Sequence, residues 1–266
     1  DLIPGRPKYY ATAVTHSGYA RGVLVESHEY RPTKIEGNPQ HPASLGGTDA
    51  FTQAAVLDLY DPDRSRHVLK AGLPSTWENF RAEWNEKLNS TLGGEGVRLL
   101  TGTLTSPSVH AKIKQFLEDY PNAKWHQWEP VNEDNAIDGA KLAYGEPVNT
   151  YYRFDRAQTI LALDSDFLHD HAASVRYARD YSSVRQGWTE GKRGGRLYAV
   201  ESTYTITGGQ ADHRLALKAR DVEGFTRALA VAVGVKDVAG ASVMEGERAA
   251  WFNALVSDLK ASRGAS

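Results

Sequence analysis

The chain has no cysteine among its 266 residues and a single methionine. The missing thiols exclude disulfides, thiolate zinc sites and cysteine-held iron–sulfur clusters within this stretch. They leave the compartment open, because cysteine-free proteins occur on both sides of a membrane. A charge bias is missing too: 31 Lys and Arg stand against 33 Asp and Glu, a net charge of -2 with pI near 6.5. Without a basic field, nucleic acid is a poor partner. No apolar run approaches the roughly 20 residues that span a bilayer; the longest, Ala228 to Val235, has the length of a buried helix face. Signal-peptide, Walker and GxSxG patterns are lacking, as are internal repeats and low-complexity segments. DLIPGRPKYY opens without Met and LKASRGAS closes on small residues, so both ends read as cuts into a longer chain.

What is present is ordinary globular material. Hydrophobic residues make up 41% and charged residues 24%, enough apolar side chains at this length for a core. Residues 1–75 are rich in Gly, Pro and turns. Two runs there, Gly22–Glu26 and Thr33–Glu36, read as a hairpin. After the irregular GNPQHPASLGG, the pattern predicts a helix over Thr48–Leu59, capped by Thr48 or Asp49 and ended by DPDR. From Ser75 the rhythm changes. STWENFRAEWNEKLN starts on a cap and spaces Phe80, Trp84 and Leu88 along one helical face. GVRLLTG, AKWHQWEP, AQTILALDSD and GRLYAVES read as strands. Helices are expected over SPSVHAKIKQFLEDYP, Asn135–Tyr144, most of Asp166–Arg185, Asp221–Gly234 and Gly246–Ala261. This alternation predicts an α/β fold: a small N-terminal β-rich layer over residues 1–75, then a Rossmann-like parallel sheet with helices on both faces over residues 76–266.

Several clusters invite chemical readings. Asp164, Asp166, His169, Asp170 and His171 form DSDFLHDH, either an oxygen-and-imidazole metal site or the polar mouth of a strand-to-helix turn. Carboxylates and imidazoles at a helix start do not all face one point, which favours the turn. His16, His28 and His41 are either donors that orient a bound group or satisfied surface or core histidines, the commoner case. Ser17, Ser106 and Ser202 have no nucleophile elbow around them. GKRGGR at 191–196 is basic and glycine-rich, a loop before the next strand or a splice across missing residues. The tryptophans of WHQWEP serve core packing or a partner surface. Arg31, Lys34, Asp61, Asp63 and Arg64 are positioned to pair and fix the N-terminal layer, or to remain exposed pairs worth under about 1 kcal/mol each.

Four runs carry a family likeness: YYATA at 9–13, LVESHEYRPTKIEGNP at 24–39, RLYAVEST at 196–203 and TGGQADHRL at 207–215, with YDPDR at 60–64. They resemble the molybdopterin oxidoreductase superfamily, and most closely the molybdopterin-oxidoreductase-like part of the large iron–sulfur subunit of alternative complex III, a quinol-oxidising membrane complex. The departures matter as much. The cluster cysteine of that superfamily falls on Asp49, and a basic residue between cluster and pterin falls near Phe51. The upstream cysteine positions fall in ATAVTHSGYA. Where a glycine often follows the strand at a pyrophosphate, this chain has Leu163-Asp164-Ser165-Asp166, and carboxylates there repel phosphate. Glu201 stands where such folds place an acid for a ribose hydroxyl, or is a solvated strand-end residue. The resemblance thus implies a segment with no catalytic, cofactor-binding or metal residues of its own, Asp49, Phe51, Asp164 and Glu201 being vestigial positions. It implies iron–sulfur clusters elsewhere in the same polypeptide or complex. The partners it implies are haem c subunits, integral membrane subunits and a cluster-bearing domain of the same polypeptide, at the periplasmic face of the membrane. An active molybdopterin-binding oxidoreductase domain is the alternative, and a free-standing binding module a second.

Overall fold

The computed structural model describes residues 3–16, 18–191, 194–240 and 245–266. Ser17, and Lys192 and Arg193 of GKRGGR, lie outside them. The fold is α/β, and the chain divides into two compact units: Asp1–Ile35 with Ala50–Asn149, and Glu36–Asp49 with Thr150–Ser266. Residues 76–149 therefore group with the N-terminal strands.

The first unit opens with a three-stranded sheet, β1 (Lys8–His16), β2 (Tyr19–His28) and β3 (Arg31–Gly37), in that order, β3 running on into the second unit. β1 and β2 are antiparallel, with Lys8 opposite Ser27 and His16 opposite Tyr19. Strand alternation turns Arg21, Val23 and Ser27 inward. Glu29 and Tyr30, between β2 and β3, both have positive φ (50° and 68°), the backbone of a two-residue hairpin turn. In place of one helix over Thr48–Leu59 there is a short α1 (Ala50–Ala54) and then a 3-10 turn at Leu57–Leu59. A hairpin follows, β4 (Val68–Lys70) and β5 (Leu73–Ser75).

Local chemistry accounts for the elements after it. α2 (Trp77–Asn89) starts where Thr76 accepts the Asn79 N–H at 3.2 Å. β6 (Arg98–Thr101) leads to α3 (Pro107–Asp119), which Ser106 caps, with Pro107 in the first turn where no donor is needed. β7 (Lys124–Gln127) pairs parallel to β6, Leu99 opposite Trp125. α4 (Asp134–Tyr144) ends at Gly145, whose φ of 82° suits glycine.

The second unit holds β8 (Thr159–Leu163), α5 (Ser174–Gln186), β9 (Arg196–Glu201), α6 (Ile206–Gln210), β10 (His213–Ala216), α7 (Ala219–Ala232) and α8 (Gly246–Ala261). Its sheet is all parallel, in the order β10-β9-β8. The chain steps across this sheet in one direction, so right-handed crossovers place α5 and α6 on the same face. The Tyr181 hydroxyl of α5 donating to the Gln210 carbonyl of α6 agrees with that. On the opposite face Tyr198 and Val200 pack with Leu217, Phe225 and Leu229, and with Phe252 and Leu255 of α8. β9 is buried from Leu197 to Glu201, as a central parallel strand must be.

The single parallel sheet expected beyond residue 75 is corrected by these pairings. β6–β7 and β8–β9–β10 are separate sheets in different units. The alternation of strand and helix is a local property, whereas strand pairing depends on residues far apart in the chain. Helix α5 also begins at Ser174 and not near Asp166; residues 166–173 are turns.

Candidate functional site

In open parallel sheets, ligands bind beyond the carboxyl ends of the strands. In the second unit that place holds the ends of β8 and β9. Asp164 leaves β8 with φ of 47°, and its N–H donates to the Val200 carbonyl at 2.7 Å. Its Oδ1 accepts both the N–H and the Oγ–H of Ser202, at 3.0 and 2.9 Å. Asp166 Oδ1 accepts the Thr207 N–H at 2.9 Å, and the buried Thr207 Oγ1 accepts the Leu168 N–H at 3.1 Å. Glu201 is 3% exposed, which removes the reading of a solvated strand-end residue. Its Oε1 accepts Arg214 Nε at 2.5 Å and its Oε2 accepts the Thr205 hydroxyl at 2.6 Å. The Arg214 guanidinium lies over the Tyr204 ring, 4.7 Å from its centre. The Gly208 N–H donates to Thr205 Oγ1 at 3.0 Å.

A pterin dinucleotide needs free N–H donors and little negative charge here. The chain presents three carboxylates, and its own oxygens hold the N–H groups of Ser202, Thr207 and Gly208. The residues present do not fit a pyrophosphate.

Asp49, the position matching the cluster cysteine, lines a cavity of about 480 Å³ in the second unit with Gly47, Thr48, His169, Arg179 and Ser182, among others. None of these side chains is a thiolate, so they do not fit an iron–sulfur cluster either. Phe51 belongs to the first unit, where its ring stacks on His16 at 5.0 Å.

The remaining candidates have structural partners. His171 Nδ1 accepts the Ala173 N–H at 3.1 Å, and its ring packs on Tyr177 at 4.9 Å. His169 and Asp170 make one long contact of 3.9 Å near the surface. Among the described residues, no three His, Asp or Glu side chains are arranged to hold a metal ion. His28 Nε2 is 2.9 Å from Glu26 Oε1, and that contact, with a hydrogen bond from Tyr9, lowers the Glu26 carboxyl below its ordinary range. His41 closes a turn, its Nδ1 accepting the Ala43 N–H at 3.3 Å. Ser106 caps α3, and Ser202 is held by Asp164. In GKRGGR, the Gly195 N–H joins the Ala157 carbonyl at 2.9 Å.

The runs that carry the family likeness fasten to one another. In RLYAVEST and TGGQADHRL, Glu201 pairs with Arg214, Tyr198 stacks on His213 at 4.6 Å, and Asp212 accepts the Leu197 N–H at 2.9 Å. In the first unit, the Tyr60 hydroxyl of YDPDR donates to the Pro32 carbonyl of RPTKIE, and the Arg31 guanidinium lies over the Tyr60 ring at 5.9 Å. Arg64 donates to the Leu59 carbonyl at 3.0 Å. The loop Glu36–Asp49 folds as part of the second unit. Arg176 donates to the Pro42 carbonyl at 2.5 Å, and Gly47 lies so close to α5 that a Cβ there would stand 2.8 Å from Val175 Cγ1.

Sequence reasoning missed the ion pairs that hold the second unit. Arg176 pairs with the buried Asp180 at 2.8 Å, and Arg185 grips Asp212 with two nitrogens at 2.9 Å. Asp258 of α8 accepts Arg196 Nη1 at 2.8 Å and the Tyr198 hydroxyl at 2.6 Å. Only the Arg176–Asp180 spacing of four residues on a helix was a local signal.

No protein-family profile matches the chain. Over 179 residues it is 25% identical to the menaquinone reductase, molybdopterin-binding-like subunit of Nitratidesulfovibrio vulgaris. The alignment covers 65% of this chain and 26% of that protein, so the chain spans about a quarter of the length of the relative it matches. The likeness supports a molybdopterin oxidoreductase-like relationship.

Proposed function

We propose that this chain is a cofactor-free structural domain of a respiratory quinol-oxidising electron-transfer complex, of the alternative complex III type. It supports and docks the part of the complex that carries iron–sulfur clusters. Its neighbours are haem c subunits and integral membrane subunits, and it lies as a peripheral body on the periplasmic face of the membrane.

One observation carries this reading. The runs that resemble redox proteins are engaged with each other, and Glu201 and Asp166 accept from donors that a pterin phosphate would need. The relative's printed name, a molybdopterin-binding-like subunit of a menaquinone reductase, supports the placement in a quinone-linked complex. No helix among the described residues is long and apolar enough to cross a membrane, which suits a peripheral role.

Metal analysis by mass spectrometry, with an absorbance scan for pterin, tests the cofactor-free reading on the purified protein. The expected result is no molybdenum, no tungsten and no pterin. One metal per chain with pterin, surviving gel filtration, would establish an active molybdopterin-binding domain instead. Co-purification from native membranes tests the placement. Its failure to travel with c-type haem and iron–sulfur proteins would leave a free-standing binding module.

A further inference from the structure

The cavity of about 480 Å³ beside Asp49 has two walls, both from the second unit. Helix α5 supplies one, with Ser174, Val175, Ala178 and Arg179 along it. The loop at residues 47–49 and Leu168 supply the other. The volume lies within the range of small-molecule sites, about 300–1,000 Å³.

Two polar groups of the α5 wall have no use in the fold. Ser174 is 3% exposed and lines the cavity, and its hydroxyl has no hydrogen-bond partner among the described residues. A hydroxyl so buried is normally satisfied. Arg179 is exposed, and its guanidinium has no carboxylate, carbonyl or ring partner among the described residues. Helical side chains lean toward the helix N-terminus, so Arg179 leans toward the end where Ser174 stands. α5 also starts with no side-chain cap and no acidic residue in its first turn, which leaves the positive end of the helix uncompensated there. A hydroxyl donor, a guanidinium and a helix N-terminus together suit an oxyanion.

The rest of the lining narrows the class. Asp49 balances Arg179 in formal charge, so the cavity has no surplus positive charge for a dianion such as phosphate or a dicarboxylate. Leu168, Val175 and Ala178 add an apolar surface, which suits a short hydrocarbon tail.

We infer that α5 carries a small-molecule site for a monocarboxylate with a short apolar tail. The carboxylate accepts from the Ser174 hydroxyl and the Arg179 guanidinium, and the tail lies on Leu168, Val175 and Ala178. Such a site is independent of the electron-transfer reading.

Nuclear magnetic resonance titration of the isotope-labelled protein with sodium butyrate tests it, with sodium chloride at equal ionic strength as the blank. The expected result is saturable amide shifts confined to residues 47–49 and 168–183. Sodium phosphate and sodium succinate should bind at least about 10-fold more weakly than butyrate. Arg179→Gln should weaken butyrate binding at least about 10-fold, the worth of one charged hydrogen bond. It should leave the urea midpoint unchanged, because the side chain it replaces is exposed and unpaired. Ser174→Ala should also weaken binding with no fall in the midpoint, because that hydroxyl bonds nothing in the fold. The proposal is overturned if butyrate shifts the spectrum no more than sodium chloride does. It is equally overturned if phosphate or succinate binds as well as butyrate, or if either variant binds butyrate as tightly as the parent.

Discussion

Glu201 Oε1 and Gly208 stand so close that a Cβ built on the glycine would lie 1.9 Å from that oxygen. The second position of TGGQADHRL is therefore a glycine for the sake of the glutamate in RLYAVEST, seven residues earlier. Gly208→Ala must push aside a buried carboxylate tied to Arg214 and Thr205. The expected cost is about 1–3 kcal/mol, the range for overpacking a closed site. Urea unfolding followed by tryptophan fluorescence measures it; an unchanged midpoint would show that the carboxylate has room to move.

Arg214→Met leaves the Glu201 carboxylate buried with only Thr205 as partner. Breaking a buried pair in this way costs about 3–5 kcal/mol. Adding Glu201→Gln to that variant removes the uncompensated charge and should return most of the loss. If the double variant is no more stable than Arg214→Met alone, the pair is not the source of the effect.

Alkaline stability follows from Tyr198. Burial, and its hydrogen bond to Asp258, push its hydroxyl up from 10.0 to about 12. A raised folded value means stability that is full below the unfolded value of 10.0 and is lost as pH rises toward about 12. Denaturant midpoints measured across that window should fall for the parent chain, and Tyr198→Phe should flatten that part of the fall.

Asp258 gives the acid counterpart. Burial acts to raise its carboxyl, and the hydrogen bonds from Tyr198 and Arg196, with the Arg196 charge, outweigh burial and hold it below the ordinary value of 3.8. A lowered folded value means stability that is present above the unfolded value and lost as pH falls through the folded one. Asp258→Asn should weaken the chain at neutral pH and remove part of its acid sensitivity below 3.8. An acid limb identical to that of the parent would separate α8 from this network.

Arg176 joins two parts of the second unit: its own helix, through Asp180, and the loop at the carbonyl of Pro42. Arg176→Met should free the loop around Pro42 and cost about 3–5 kcal/mol by stranding Asp180. Hydrogen exchange at residues 38–47 is the sensitive readout. Unchanged protection there would mean that Gly47 against Val175 holds the loop without help from the arginine.

Some of this protein was legible in the residues themselves. Thr76 and Ser106 mark the starts of α2 and α3, Gly145 the end of α4, and the apolar runs of β8 and β9 their strands. Each depends on residues within a turn or two, because caps, breakers and periodicity act locally. The absence of thiols was equally decisive, since no folding can supply a cluster ligand that the chain does not contain. The tertiary structure alone decided the rest. The strand β1 and the short strands β4, β5 and β10 had too little apolar pattern to show. Which strands share a sheet, and that Asp49 and Phe51 belong to different units, depend on contacts between distant residues. Glu201 read as an acid for a ribose hydroxyl or a solvated strand-end residue because Arg214 is 13 residues away, and the anchor of Arg196 on α8 lies 62 residues along. Burial and pairing across such distances exist only once the chain has folded, so no local pattern records them.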